Sequence, residues 1–232
     1  MNIVKPYARL LPPVTSFDFF SERQDFAIDD GIALLRRIEW CARISHRSED
    51  ALTEDSYDRF VRSVVLQRGD WSVVEHASVS VDFYVDRGIT HELVRHRLFS
   101  FTQESTRFVN YEKKMPPSFV LPPDVEAEED HELYWMQAVR AAEQAYQNLI
   151  RAGASPQIAR SVFPNALASR IVITGNLRNW RHFLLMRTTK EAHPQMREVT
   201  IPLLKEFQEK IPIFYEDIEP EAKQADNLKK GR

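Results

Sequence analysis

The sequence predicts an α+β fold in one domain, and three observations carry that expectation. Val79, Val81, Phe83 and Val85 alternate with Ser78, Ser80, Asp82 and Tyr84, the period of a strand with one buried face. Apolar stripes at helical spacing precede it: Ile32, Leu35, Ile38 and Ala42, then Tyr57, Phe60, Val61, Val64 and Val65. A second β-branched run, Arg170 to Thr174, lies between further helical stretches. A chain of 232 residues, 43% of them hydrophobic, can bury a sizeable core as one large domain or two small ones. No repeat, low-complexity tract or linker divides it, so residues 1–232 read as a single domain.

Taken in order, residues 1–29 form a peripheral extension of a short strand and loops, broken at Pro12-Pro13 and holding the patch Phe17, Phe19 and Phe20. Helices are expected over Gly31–Ser45 and Ser56–Arg68, the latter capped by Ser56 and stopped by Gly69. After the strand of Ser78–Val85, Arg87-Gly88 reads as a turn. Pro116, Pro117, Pro122 and Pro123 mark a connecting loop. A long helix follows, about Val125 to Ala152, opened by acidic residues and closed near Gly153, with Trp135, Val139, Ala142, Tyr146 and Leu149 facing one way. Ser155-Pro156 has the cap-then-proline order of a short helix. Gly175-Asn176 reads as a turn after the second strand, Leu177–Arg187 as a helix with Trp180, Phe183 and Leu184 inside, and Gln195–Lys210 as the last helix, disturbed by Pro202. Residues 217–232 form a charged tail, expected to be mobile and peripheral.

Composition excludes several functions. A net charge of −3 and a pI near 6.2 provide no global basic field for nucleic acid. One cysteine, Cys41, precludes an intrachain disulfide and suits a reducing compartment. The amino terminus lacks a signal-peptide core and no run approaches a membrane span, so a cytoplasmic protein is expected. The sequence HELVRH, His91 to His96, misses the zinc-protease motif by one residue. Histidines five apart fall roughly 140° out of register on a helix, and Arg95 and Arg97 repel a cation. Cys41 has no adjacent histidine to lower its pKa, and Ser105 lacks the glycine-flanked elbow of hydrolases. With six glycines and neither GxGxxG nor a P-loop, nucleotide phosphates must rest on arginines and helix ends.

The informative stretch is ELVRHRLFSFTQESTRFVNY, Glu92 to Tyr111. Arg95, His96, Arg97 and Arg107 crowd cationic or ionisable groups that call for an anionic ligand or carboxylates. Ser100, Thr102, Gln103, Ser105 and Thr106 add hydrogen-bonding groups suited to phosphate and a heterocycle edge. A solvated basic loop is the plain alternative.

Arg-His-Arg, seven residues, then Ser resembles the signature of the flavin-dependent thymidylate synthases. So do WSVVEHAS from Trp71, TGNLRNWRHFLLMR from Thr174 and AHPQMRE from Ala192, in the family's order. The resemblance implies a small mixed or antiparallel sheet packed with helices in one catalytic domain. It implies reductive methylation of dUMP to dTMP with 5,10-methylenetetrahydrofolate and NADPH or NADH, through bound FAD and without a cysteine nucleophile. A homotetramer with shared active sites is implied as well, and neither membrane nor nucleic acid as partner. Carried across by position, Arg95, His96 and Arg97 resemble the central flavin contacts. Ser72 and Glu75 match positions lining the flavin from a neighbouring subunit, and Asn176, Arg178 and His182 match the second flavin segment. Gln103 is assigned to both flavin and dUMP. Glu92, Arg95, Glu104, Ser105, Thr106 and Arg107 are assigned to dUMP, with Arg107 and Arg160 as phosphate partners. Arg187 matches the catalytic arginine that contacts the uracil edge and favours ionisation at its N3.

Plainer readings stand beside these. Glu75 and His76 can be a helix-end pair, His182 a core histidine, His193 a cap, and Arg187 the partner of Glu191. Asp70 stands where relatives commonly have a histidine, Glu92 where a glutamine is frequent, Thr102-Gln103 in place of Asn-Glu, and Phe108 in place of a tyrosine. The rival functions are a single-strand-binding module stacking bases on Phe99, Phe101 and Phe108, and a nucleotide sensor without turnover.

Overall fold

The computed structural model describes residues 1–13, 25–112 and 115–223, so the Phe17, Phe19 and Phe20 patch and the end of the tail lie outside it. Its first elements are strands β1 (Asn2–Val4) and β2 (Tyr7–Leu10), helix α1 (Ile28–Ile44) and helix α2 (Ser56–Val61). A π-helical stretch (Arg62–Gln67) and a 3-10 segment (Trp71–His76) lead to strand β3 (Ser78–Asp86), helix α3 (Arg87–Leu93) and strand β4 (Ser100–Gln103). Next come β5 (Ser118–Val120), α4 (Pro123–Glu126), α5 (Glu129–Arg151) and α6 (Pro156–Ala159). Strand β6 (Ala168–Asn176), α7 (Leu177–Arg187) and α8 (Pro194–Lys210) complete the fold. The expected α+β class holds. Four strands form an antiparallel sheet in the order β2-β3-β6-β4, and β1 pairs in parallel with β5, Ile3 opposite Phe119.

The chain forms two compact units. One comprises residues 1–7, 83–96 and 101–172. In it Tyr146 stacks on Phe163 with ring centroids 4.5 Å apart, and Tyr111 meets Phe163 edge-on. Phe119, Val139 and Leu167 form a second buried cluster there. The other unit comprises residues 8–82, 97–100 and 173–232. Trp180 is its fully buried centre, packed on Phe183 and Phe207, with the indole N–H donating to the Val79 carbonyl at 3.1 Å.

Several local expectations are corrected. Neither expected turn forms, because a capping side chain lets the strand run straight into a helix. Asp86 Oδ1 accepts from the Ile89 amide at 2.7 Å, and Asn176 Oδ1 from the Asn179 amide at 2.8 Å. Ser56 does not cap α2. Asp55 holds that place, and the Ser56 hydroxyl instead bonds buried Glu39 at 2.9 Å. The long helix breaks at Glu128, which is extended. Restarting at Glu129 sets Glu129, Asp130 and Glu132 in the first turn of α5, where the helix dipole favours carboxylates. Gly69 and Gly153 do end their helices, each with positive φ. Asp82, placed by alternation on the polar face, is fully buried and answered by Arg9 at 3.4 Å.

The two ends of the chain are not peripheral where they are described. β1 and β2 are sheet strands, and Leu10 is buried. Beyond Glu216, Ile218 is buried and Asp217 pairs with Arg181. Arg62 clamps Glu216 with bonds of 2.7 and 2.8 Å, and the Ile213 amide donates to the same carboxylate. The Arg62 hydrogen bond, assisted by that amide and by the Arg62 charge, outweighs desolvation and holds the Glu216 carboxyl below the usual carboxylate range. A depressed folded-state pKa gives stability that is present above the unfolded value and lost as pH falls through the folded one. We expect Glu216→Gln to unfold at lower urea than wild type at pH 7, with the difference closing in acid. Solvent screening keeps the effect under about 1 kcal/mol.

Candidate functional site

In the first unit, the Asp86 cap fixes α3, whose last turn carries Glu92 and leads to Arg95 and His96. Strand β4 delivers Gln103. Its amide Nε2 donates to Thr90 Oγ1 at 3.0 Å and Ser169 Oγ at 3.1 Å, tying β4 to α3 and β6. Glu104 is engaged within the protein: its amide donates to the Arg170 carbonyl at 2.8 Å, and its carboxylate accepts from the Tyr111 hydroxyl at 2.7 Å. Burial, reinforced by Glu104, pushes the Tyr111 hydroxyl well up, so it stays a neutral donor. The Ser105 carbonyl accepts the amides of Phe108 and Val109, both at 3.1 Å, which coils the next residues into a helical turn. On that turn Thr106 is buried, and its hydroxyl accepts from Arg160 Nη1 at 3.1 Å. Arg107, the next residue, lies over the Phe108 ring and donates to Gln157 at 3.2 Å. Two residues bearing guanidinium groups therefore gather at one turn, a local concentration of positive charge in a chain of negative net charge.

In the second unit, the 3-10 segment after Asp70 exposes Ser72 and Glu75. Asn176 caps α7, so Arg178 stands in its first turn. Arg178 Nη1 meets Glu75 Oε1 at 2.6 Å, with both side chains about half exposed. Two residues 103 positions apart in sequence, each assigned to the flavin, are thereby partners. A solvent-exposed pair of this kind is worth about 0–1 kcal/mol, so it orients more than it stabilises. A cavity of about 520 Å³ is lined by Ser45, His46, Arg68, Asp70 and Ser72 together with apolar Ala42 and Val64. Arg97 is exposed and precedes Leu98, whose carbonyl accepts from Asn179 Nδ2 at 2.9 Å. His182 is exposed, not a core histidine, and His193 caps α8 by accepting from the Gln195 amide at 3.3 Å. Arg187 is half-buried in the last turn of α7, where its carbonyl accepts from Thr200 Oγ1 at 2.7 Å.

Other residues that hold these groups in place are not among those the sequence motifs assign to a ligand. Asp86 has the signature of a cap, since Ile89 and Leu93 follow it at helical spacing. Trp71 and Arg181 carried no such signal. The Arg181 guanidinium lies 4.9 Å from the Trp71 ring, under the segment that bears Ser72 and Glu75.

Comparison with known proteins adds the family. Residues 33–213 match the family model described as thymidylate synthase complementing protein. A flavin-dependent thymidylate synthase of Mycolicibacterium vanbaalenii is 35% identical over 214 aligned residues, covering 82% of this chain and 81% of the relative. One from Mycobacteroides abscessus is 36% identical over the same length and shares. Another, from Mycobacterium tuberculosis, is 36% identical over 173 residues, 67% of each.

Proposed function

Since this chain belongs to the thymidylate synthase complementing protein family, the flavin-dependent thymidylate synthases, we propose that its two constellations divide the work of one reaction between substrate and flavin. The reaction is the reductive methylation of dUMP to dTMP, with 5,10-methylenetetrahydrofolate as carbon donor and NADPH or NADH as reductant. The observation that carries the division is the Thr106–Arg160 bond, which brings Arg160 to the turn that bears Arg107.

The turn of Ser105 to Arg107 together with Arg160 binds the dUMP phosphate, since fork-shaped guanidinium groups match phosphate oxygens. Gln103 and Glu104 shape this region through the bonds that hold β4, and Glu92 and Arg95 complete the substrate contacts. For the flavin, the donor set fits: Arg97 and Arg178 supply positive charge, and Asn176 and His182 add polar groups on α7. Ser72 and Glu75 stand on the segment that reaches Arg178, and Arg95 and His96 extend the cationic run. The cavity beside Ser72 receives part of the flavin or of the folate. When bound, FAD supplies the two-electron redox chemistry that no side chain can. Arg187 holds negative charge on the uracil ring, which raises the nucleophilicity of C5 and makes an enzyme thiolate unnecessary. Cys41, half-buried in α1, is left out of the chemistry.

The same reading takes the protein as a homotetramer with shared sites in the cytoplasm, and residues 1–232 as one catalytic domain. Among the described residues no helix is long and apolar enough to cross a membrane.

The test is a visible spectrum of the purified protein with FAD, followed by a dUMP titration and a turnover assay. A bound-flavin spectrum perturbed by dUMP, with dTMP formed, is expected; no bound flavin at saturating FAD overturns the reading. Arg160→Ala should raise the KM for dUMP about tenfold to a hundredfold, the loss of one hydrogen bond to a charged group, with FAD affinity unchanged.

A further inference from the structure

Gly175 sits in β6, next to Asn176, and nothing about its backbone demands glycine: its φ lies outside the left-handed region. What demands it is a neighbour. A Cβ at Gly175 would overlap the Phe99 ring, and the three atoms nearest to it all belong to that ring. Phe99 is thus seated on bare strand backbone, and it is anchored from the side as well. It meets Trp180 edge-on at 4.7 Å and Phe183 at 6.2 Å, two residues of the unit's buried core.

Asn179 makes the second tie. Its backbone amide donates to the Asn176 cap at 2.8 Å, and its side-chain amide donates to the Leu98 carbonyl at 2.9 Å. One residue therefore fastens both the amino end of α7 and the loop that bears Arg97. Arg97 precedes the tethered Leu98, while Asn176 and Arg178 flank it on the other element. An exposed arginine on a free loop would give up backbone and side-chain entropy each time it met an anion. Here the backbone part of that cost is already met.

We infer that Phe99, Gly175 and Asn179 are positioning residues that hold the backbone of Arg97 beside the amino end of α7 for flavin binding. The inference rests on the flavin reading given above, and it adds to that reading a steric lock of ring on glycine.

The test uses the full chain and an FAD titration followed by absorbance, with thermal unfolding and turnover measured alongside. Asn179→Ala and Gly175→Ala should each weaken FAD binding about fivefold to tenfold, the loss of roughly one tie. Turnover at saturating FAD should stay within about threefold of wild type, because the tie sets affinity rather than chemistry. In a Phe99→Ala background, Gly175→Ala should cause no further loss, since the ring it would strike is gone. FAD binding within twofold of wild type in both single variants overturns the inference while leaving the flavin reading intact. An additive loss in the Phe99→Ala background overturns it too, by showing that Gly175 acts through something else. Should Gly175→Ala not fold, Asn179→Ala decides alone, its side chain being partly exposed. A wild-type protein that binds no FAD overturns the flavin reading, and the inference falls with it.

Discussion

Arg187→Ala should reduce methylation of dUMP by at least about a hundredfold to a thousandfold while FAD stays bound with its wild-type spectrum. The ring that attacks the methylene carbon through C5 is the anion formed by ionisation at N3, so a guanidinium beside the ring is worth more to that activated form than to the neutral substrate. The loss should therefore fall mainly on kcat, with a smaller effect on KM. Arg187→Lys should recover part of the rate, because it restores the charge without the planar fork. Position supports the split between turnover and flavin: Arg187 lies in the last turn of α7, whereas Asn176 and Arg178 stand at its beginning. The Thr200 hydroxyl bonds the Arg187 carbonyl, a tie between α8 and α7 that truncation of the side chain leaves in place. Single-turnover dTMP formation and the flavin spectrum are the two measurements. A variant that turns over normally would remove Arg187 from the mechanism.

How much of this could be read from sequence depended on whether the determining contact was local. Helix α7 was legible to its ends, because Trp180, Phe183 and Leu184 mark its buried side and Arg187 precedes Thr188, where the helix closes. Strand β3 was legible from its alternation, but the burial of Asp82 was not, since its partner Arg9 is 73 residues away. The turns expected at Arg87-Gly88 and Gly175-Asn176 were misread for a common reason. Glycine beside a polar residue suggests a turn, yet at Gly175 the small residue makes room for the Phe99 ring and the asparagine caps a helix. For the candidate site, motif order suggests the residue types, while the pairings lie between distant positions. Thr106 and Arg160 are 54 residues apart, and Glu75 and Arg178 are 103 apart. The start of the charged tail, at Asp217 and Ile218, was misread for want of one such pairing, that of Asp217 with Arg181.

That pairing makes Arg181→Ala the substitution expected to cost most stability. Arg181 is 4% exposed and donates to both oxygens of Asp217 at 2.7 Å, and also to the Phe214 carbonyl. Its guanidinium also lies 4.9 Å from the Trp71 ring. Truncation would strand a carboxylate and a buried carbonyl and remove the cation from under the indole. Breaking a buried pair from one side costs about 3–5 kcal/mol, and the lower end applies because Asp217 is itself 37% exposed. Arg181→Lys should recover little of it, since a single ammonium cannot span two carboxylate oxygens and a carbonyl in a fixed fork. The effect should reach the flavin, because Trp71 begins the segment that carries Ser72 and Glu75. Urea unfolding of the FAD-free protein and an FAD titration separate the two consequences. A midpoint change worth less than about 1 kcal/mol would show that the Asp217 and Trp71 contacts are dispensable. A normal midpoint with weakened FAD would instead make Arg181 a support for the 3-10 segment alone.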